Sequence, residues 1–244
     1  MRKSALLSSA SPALWIDPPR NRLEAYTIIK PRRHTFGTES PKLLIPDESM
    51  ELFPPSIFKP LPLREIFQND RPIEVDLGSG PGKFLVEAAQ KFPNRNFLGV
   101  ERLLGRVRKT CRQAFRIGLT NLRVLRLEID YTVRYMLPRN SVWRFHLYFP
   151  DPWPKRRHQT RRVVDGEFFD GISRSLIDGG ELWIKTDHQE YFAQIALAAE
   201  RSHLWSTIIW TEEGYPVTDF EEQFMSKELP IYRLRLRKRI SDPR

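Results

Sequence analysis

Ile73-Glu74-Val75-Asp76-Leu77-Gly78-Ser79-Gly80-Pro81-Gly82-Lys83-Phe84 is a short aliphatic run with two interleaved acids that opens into three alternate glycines. The run has the composition of a strand, and the residues after Gly82 begin an amphipathic stretch. Glycines in such a turn admit positive φ and let the backbone come close to a ligand with no Cβ between them. Strand, glycine turn and helix form the opening unit of an α/β fold, in which ligands gather beyond the carboxyl ends of the strands. Counting from Gly78, the sixth position is Lys83 rather than glycine, so the turn departs from the dinucleotide pattern G-x-G-x-x-G and suits a cofactor without a pyrophosphate better.

Outward from this unit, runs rich in Val, Ile, Leu and Phe predict strands near 73–77, 96–101, 122–127, 142–149, 181–186, 206–211 and 231–238, with helices between them. That order gives a doubly wound, mostly parallel, seven-stranded α/β sheet of Rossmann-like form with helices on both faces. Pro18, Pro19, Pro31, Pro41, Pro46, Pro54, Pro55, Pro60 and Pro62 crowd the preceding segment, where no periodicity is sustained. Residues 1–62 are therefore expected to be a proline-rich, irregular N-terminal extension, and 63–244 the folded domain.

The 244 residues are 40% hydrophobic, enough to bury a core and too many for disorder throughout. Forty Lys and Arg against thirty Asp and Glu leave a formal charge of +10, which favours a polyanionic partner such as nucleic acid or an anionic membrane surface. No stretch approaches the roughly 20 consecutive apolar residues of a membrane span. The lone Cys111 excludes an intramolecular disulfide framework and a cysteine-rich zinc site, and points to the reducing cytoplasm. Met1-Arg2-Lys3 with Ala5-Leu6-Leu7 has only the outline of a secretory signal, because Ser4, Ser8, Ser9, Ser11 and Pro12 interrupt the apolar part.

Glu101 ends the next strand, Phe97-Leu98-Gly99-Val100-Glu101, 19 residues beyond Gly82. A carboxylate there can accept both hydroxyls of a ribose. Asp130, in Arg126-Leu127-Glu128-Ile129-Asp130-Tyr131, follows the third strand at the same edge, within reach of an adenine amino group. Asp76, Glu101 and Asp130, with Gly78, Gly80 and Gly82, predict a site for an adenosine-bearing cofactor, while each acid alone reads equally as a helix cap or a solvated loop residue. A helix over 102–116 sets Leu103, Leu104, Val107, Cys111, Ala114 and Phe115 against Arg102, Arg106, Lys109, Arg112 and Arg116, a charged face that reads first as solvated. The last strand alternates Tyr232, Leu234 and Leu236 with Arg233, Arg235 and Arg237, as an edge strand protected by charge or an RNA-contacting strand would.

After the fourth strand comes Leu147-Tyr148-Phe149-Pro150-Asp151-Pro152-Trp153-Pro154-Lys155-Arg156-Arg157-His158-Gln159-Thr160-Arg161-Arg162. Its prolines fix φ and remove backbone donors, making a stiff turn that presents Asp151, Trp153 and Lys155 from the sheet edge. The basic run after it is either a solvated helix start or a nucleic-acid contact.

The acids and the glycine turn look like an S-adenosylmethionine site of the class I methyltransferase fold. With Phe149-Pro150-Asp151-Pro152-Trp153-x-Lys155-x-Arg157-His158, Arg161-Arg162, Lys185-Thr186-Asp187, Pro216-Val217-Thr218-Asp219-Phe220-Glu221 and Pro230-Ile231-Tyr232, residues 72–239 resemble the bacterial tRNA (guanine-N7)-methyltransferases, which methylate guanosine in the tRNA variable loop. The resemblance implies that Asp76, Glu101, Asp130 and Asp151 line the S-adenosylmethionine pocket with the glycine turn, Asp151 also standing at the catalytic centre. It implies that Lys155, Asp187, Thr218, Asp219, Phe220 and Glu221 contact the substrate, and that Arg156, Arg157, His158, Arg161 and Arg162 meet the tRNA backbone. It further implies tRNA as the partner, with no metal and no obligatory second subunit. The family usually carries Glu where this chain has Asp76, and the arm before about residue 63 does not match.

Guanine N7 offers a lone pair and carries no proton at neutral pH, so methyl transfer needs no general base and placement is the main task. Asp151 is expected to accept from N1–H and the exocyclic amine of guanine and so turn N7 toward the methyl group; its other reading is a cap of the following helix. Trp153 and Tyr131 are candidates to stack on an everted base, core packing being the other role for both. His158 lacks companion ligands at metal spacing, and His188 is expected to start a helix. The alternatives are methylation of another base or of an exocyclic amine, whose enzymes carry an Asn/Asp-Pro-Pro-aromatic turn similar to Asp151-Pro152-Trp153-Pro154, a non-catalytic basic RNA-binding protein, and a nicotinamide oxidoreductase.

Overall fold

The computed structural model describes residues 50–151, 166–211 and 213–240. Its strands are β1 (Glu51–Leu52), β2 (Ile73–Leu77), β3 (Asn96–Val100), β4 (Leu122–Leu125), β5 (Val142–Tyr148), β6 (Leu176–Thr186), β7 (Trp205–Ile208) and β8 (Tyr232–Lys238). Its helices are α1 (Leu63–Phe67), α2 (Lys83–Lys91), α3 (Leu104–Arg116), α4 (Ile129–Tyr131), α5 (Gly166–Ser175), α6 (Gln189–Arg201) and α7 (Asp219–Ser226), with a π-type turn, Thr132–Met136, after α4. The strands form one sheet in the order β1-β4-β3-β2-β5-β6-β8-β7, parallel except for β8, which runs antiparallel to both neighbours. Winding reverses between β2 and β5, so the crevice at their carboxyl ends is where a fold of this kind takes its ligands.

The sheet has eight strands rather than the expected seven. The added one comes from the stretch read as irregular: Glu51 and Leu52 pair with Val124 and Leu125 at the sheet edge, and Leu52 and Leu61 are buried. Residues 1–49 lie outside the described residues. Strand β6 starts earlier than expected because Leu176 pairs with Val142 across a register shift.

The two faces of the central strands differ in chemistry. Val75, Phe145, Leu182 and Leu236 lie in cross-strand register, as do Leu147, Ile184 and Leu234, and all are buried. This apolar face packs on helices: Phe192 of α6 meets Tyr232 at 5.4 Å between ring centroids. On the opposite face the same registers align Glu74 with Arg144 and Glu181, and Asp76 with His146 and Trp183. Phe84 of α2 covers this face with its ring edge-on to His146 and Tyr148, 5.0 Å from each, and Tyr215 packs beside it.

A polar buried face is stable only when each group has a partner. Here Glu74 accepts from Tyr215 Oη at 2.7 Å and lies 2.7 Å from His146 Nε2. Burial raises the pKa of Glu74, but hydrogen bonds from His146 and Tyr215 and the charge of Arg144 hold it below the ordinary carboxylate range. Burial pushes His146 below the ordinary imidazole range in spite of Glu74. A neutral ring beside an ionised carboxylate donates from Nε2, which leaves Nδ1 to accept from Tyr148 Oη at 2.9 Å. Glu181 accepts from Trp183 Nε1, Arg144, Arg235 and Arg237.

Strand β8 corrects one expectation. It lies between β6 and β7 rather than at an edge, and its arginines pair with acids: Arg235 and Arg237 with Glu181, Arg233 with Glu221. The period-two pattern is therefore the signature of a row of ion pairs, buried at Arg235 and running out to exposed Arg237. In α3, which starts at Leu104, Val107 and Ala114 are buried as expected, whereas Leu103 and Phe115 are exposed and Thr110 is buried in their place. None of the described helices is long and apolar enough to cross a membrane.

Glu181→Gln removes a charge that Arg144 and Arg235 share inside the fold, and a buried ion pair broken on one side is strongly destabilising. The variant should lose about 3 kcal/mol or more of stability, read as a lower urea midpoint.

Candidate cofactor and substrate site

The glycine turn is held from β3. Gly78 and Ser79 both donate backbone N–H to the Val100 carbonyl, at 2.8 and 3.0 Å. Gly80 donates to Glu101 Oε2 at 3.1 Å, while Leu103 donates to Glu101 Oε1 at 2.8 Å. Glu101 thus fixes the turn and the start of α3 with one carboxylate; Oε2 also pairs with Arg106 at 3.5 Å, while Oε1 keeps a lone pair for a ligand. Gly78 has φ of +84° and Gly82 +87°, and a Cβ on Gly82 would lie 2.2 Å from Thr110 Oγ1. That position needs glycine both for conformation and for the close approach of α3.

Asp76 lies on the polar face, one residue before the end of β2, and is buried. Among the described residues it has no hydrogen-bond or ion-pair partner, so burial, with the charge of Glu101 adding to it, pushes its carboxyl up to about 8. Asp130, in α4, is half-buried and pairs with Arg134 at 2.6 Å, one turn on. Tyr131 is buried and donates to the Ile57 carbonyl at 2.9 Å, which makes it a packing residue tying in the chain before α1. Asp151 is exposed, directly after buried Pro150 and after Phe149, whose φ is +51° and whose N–H donates to the Lys185 carbonyl at 2.7 Å. The glycine turn, Asp76, Glu101, Asp130 and Asp151 therefore all lie at or just beyond the carboxyl ends of β2, β3, β4 and β5.

Lys155, Arg156, Arg157, His158, Arg161 and Arg162 lie outside the described residues, as does Trp153. Asp187 is exposed after β6, and His188 caps α6, its Nδ1 accepting from Tyr191 N–H at 3.2 Å, the helix-starting role expected of it. Thr218 caps α7, accepting from Glu221 N–H at 3.0 Å, and Asp219 and Phe220 are exposed beside it. Glu221 departs from its three neighbours: it is 1% exposed, and Lys185 Nζ reaches both of its oxygens, at 2.9 and 2.7 Å. Phe149 touches α7 through Phe220 and Phe224, at ring separations of 5.9 and 5.7 Å. Lys83, the first residue of α2, pairs with Glu222.

Lys185, Glu74 and Tyr215 were not legible as site-supporting residues from sequence alone. The available signal was an acid and a lysine alternating with aliphatic residues in strands that are buried on both faces, which demands a partner without naming it. Among the described residues no group of three His, Cys, Asp or Glu side chains is arranged to hold a metal ion. Burial, with the charge of Glu51, pushes the Cys111 thiol up to about 12, so it is protonated and unreactive.

A family model described as "Putative methyltransferase" matches residues 70–234. The tRNA (guanine-N7)-methyltransferase of Geobacillus sp. (strain WCH70) is 33% identical over 175 residues, covering 69% of this chain and 79% of the relative. That of Listeria monocytogenes serotype 4b (strain F2365) is 30% identical over 177 residues, covering 70% and 82%. The chain belongs to the tRNA (guanine-N7)-methyltransferase family. Among solved structures, the aminoglycoside resistance methyltransferase NpmB1 superposes with a TM-score of 0.49 at 18% identity, over 72% of this chain and 91% of that one, a looser likeness than the sequence relatives give.

The environment of Asp76 has a thermodynamic consequence. Below about pH 4 the carboxyl is protonated in both folded and unfolded chains; as pH rises from 3.8 to about 8 only the unfolded chain ionises, and the ligand-free fold loses stability with each unit. Asp76→Asn should therefore stabilise the ligand-free protein at pH 7 by up to about 4 kcal/mol. Thermal unfolding at pH 7 and pH 5 checks the sign, since the gain should shrink at the lower pH.

Proposed function

We propose that this protein transfers the methyl group of S-adenosylmethionine to N7 of guanosine in the variable loop of tRNA. The observation that carries the reading is Asp76: a buried carboxyl with no cation beside it among the described residues, set against a glycine turn in which Gly78 is exposed and Gly80 half-buried. An α-ammonium group is the cation that this position fits, and its arrival would restore the ionised carboxylate. Glu101, already fixed by Gly80 and Leu103, would take the ribose hydroxyls, and Asp130 the adenine amine. When bound, S-adenosylmethionine would supply a methyl group activated by a positively charged sulfur, with a neutral thioether as the leaving group and the N7 lone pair as the acceptor.

The chain's own task is placement. Asp151 would accept from guanine N1–H and the exocyclic amine, orienting N7 and offsetting the positive charge that methylation leaves on the base. Its position after a residue in the left-handed region, fastened to Lys185, gives that carboxylate a rigid base. The basic run from Lys155 to Arg162, exposed Asp187, Asp219 and Phe220, and half-buried Thr218 would receive the RNA. The reading includes a cytoplasmic enzyme that needs no metal and no second subunit.

Transfer of labelled methyl to unmodified bulk tRNA, followed by nucleoside analysis, tests this. Label in 7-methylguanosine is expected; label in another nucleoside, or none, overturns it. Within that assay Asp151→Asn should lower kcat by about 10-fold to 100-fold while tRNA affinity, measured by filter binding, stays within about twofold of wild type.

A further inference from the structure

Lys185 joins the two walls of the substrate mouth. Its backbone carbonyl accepts from Phe149 N–H at 2.7 Å, two residues before Asp151, and its side chain runs inward to Glu221 of α7. Both side chains of the pair are almost wholly buried, Lys185 at 2% and Glu221 at 1% exposure. Arg233 of β8 adds a third charge, 3.2 Å from Glu221 Oε1, and the Lys185 ammonium lies 4.8 Å from the Tyr148 ring centroid. Glu221 is the one buried residue of α7; Asp219 and Phe220 are exposed on the same turn, and Thr218 is half-buried. The Phe149 ring bridges the walls a second time through Phe220 and Phe224.

We infer that Lys185 and Glu221 form a buried clamp that seats α7 against the Asp151 segment, so that Glu221 serves methyl transfer as a positioning residue and does not touch guanosine. This rests on the proposed tRNA reading and assigns the work at that site differently among its residues. With both carboxylate oxygens held from inside the protein, Glu221 sets the direction of the Thr218 turn through its own N–H, and Thr218, Asp219 and Phe220 meet the substrate. Lys185 acts at one remove, through Glu221 and through the Phe149 amide. A clamp of two opposite charges also has a characteristic response to mutation, because one charge left without the other is worse than neither.

A double-mutant cycle on Lys185→Met and Glu221→Gln reads this. Each single variant is expected to lose at least about tenfold in kcat/KM for tRNA, mainly through KM, with the Kd for S-adenosylhomocysteine within about twofold of wild type. The double variant should lose no more than the worse single one. S-adenosylhomocysteine binding by calorimetry reports that each variant has folded. If Lys185→Met keeps wild-type kcat/KM while Glu221→Gln loses it, or if the two losses multiply in the double variant, Glu221 acts on the substrate directly and the clamp is wrong. A wild-type protein that makes no 7-methylguanosine would instead remove the tRNA reading and the inference with it.

Discussion

Arg144, at the centre of the sheet, is the charge around which the polar half of the core is arranged. Its guanidinium is 2% exposed, 4.0 Å from the Trp183 ring centroid, and bonded to Tyr215, Glu181 and Glu213. Removing a guanidinium from water costs several kcal/mol, which partners at both terminal nitrogens offset here while Nε is buried without one among the described residues. Those partners come from separate parts of the chain: Glu181 from β6, Glu213 and Tyr215 from the stretch between β7 and α7. The buried charge therefore dictates where that stretch must lie. Buried ion pairs are weak sources of net stability, and here the consequence is geometric: residues 213–215 are pinned to the sheet directly before the turn that begins α7.

From that anchor the polar face is built strand by strand. Tyr215 bonded to Arg144 can also donate to Glu74; Glu74 then orients His146, and His146 orients Tyr148. The chain of partners runs along β2 and β5 toward their carboxyl ends, where Asp76 and Asp151 stand. The opposite, apolar face is filled by aliphatic side chains that tolerate exchange of similar volumes. The polar face has no such tolerance, because each substitution leaves a donor or acceptor without its counterpart. A rigid floor beneath a site whose chemistry is placement is what the transfer reaction requires.

The order of the elements was readable because apolar period-two runs and glycine punctuation are local signals. The run from Ile73 to Phe84 alone places a strand, a turn and a helix, and β2 and α2 match it closely. Strand β1 was not readable: two residues between prolines have no period, and only the parallel pairing with Val124 and Leu125 makes them a strand. Arg233, Arg235 and Arg237 were legible as an alternation but not as to direction, since a strand with charges toward solvent and one with charges toward buried acids share one pattern. Burial of Glu221 was hidden for the same reason. Its motif marks a helix start with an acid at the third helical position, and nothing local reports that Lys185, 36 residues earlier, waits beneath it.

Asp76 and Glu221 make the distinction between scaffold and site physical. Both are carboxylates removed from water at the same edge of the fold. Glu221 has two resident cations, Lys185 and Arg233, and its charge is completed by the protein itself. Asp76 has none among the described residues and faces the charge of Glu101, so its ionised form is held at a disadvantage until a cation arrives. An acid whose charge the fold completes belongs to the framework. An acid whose charge the fold leaves incomplete stays protonated at neutral pH, and a cationic ligand beside it would restore the ionised form. On the proposed reading, Asp76 would set the cofactor end of the crevice, and exposed residues held in place by a satisfied, buried Glu221 would set the substrate end.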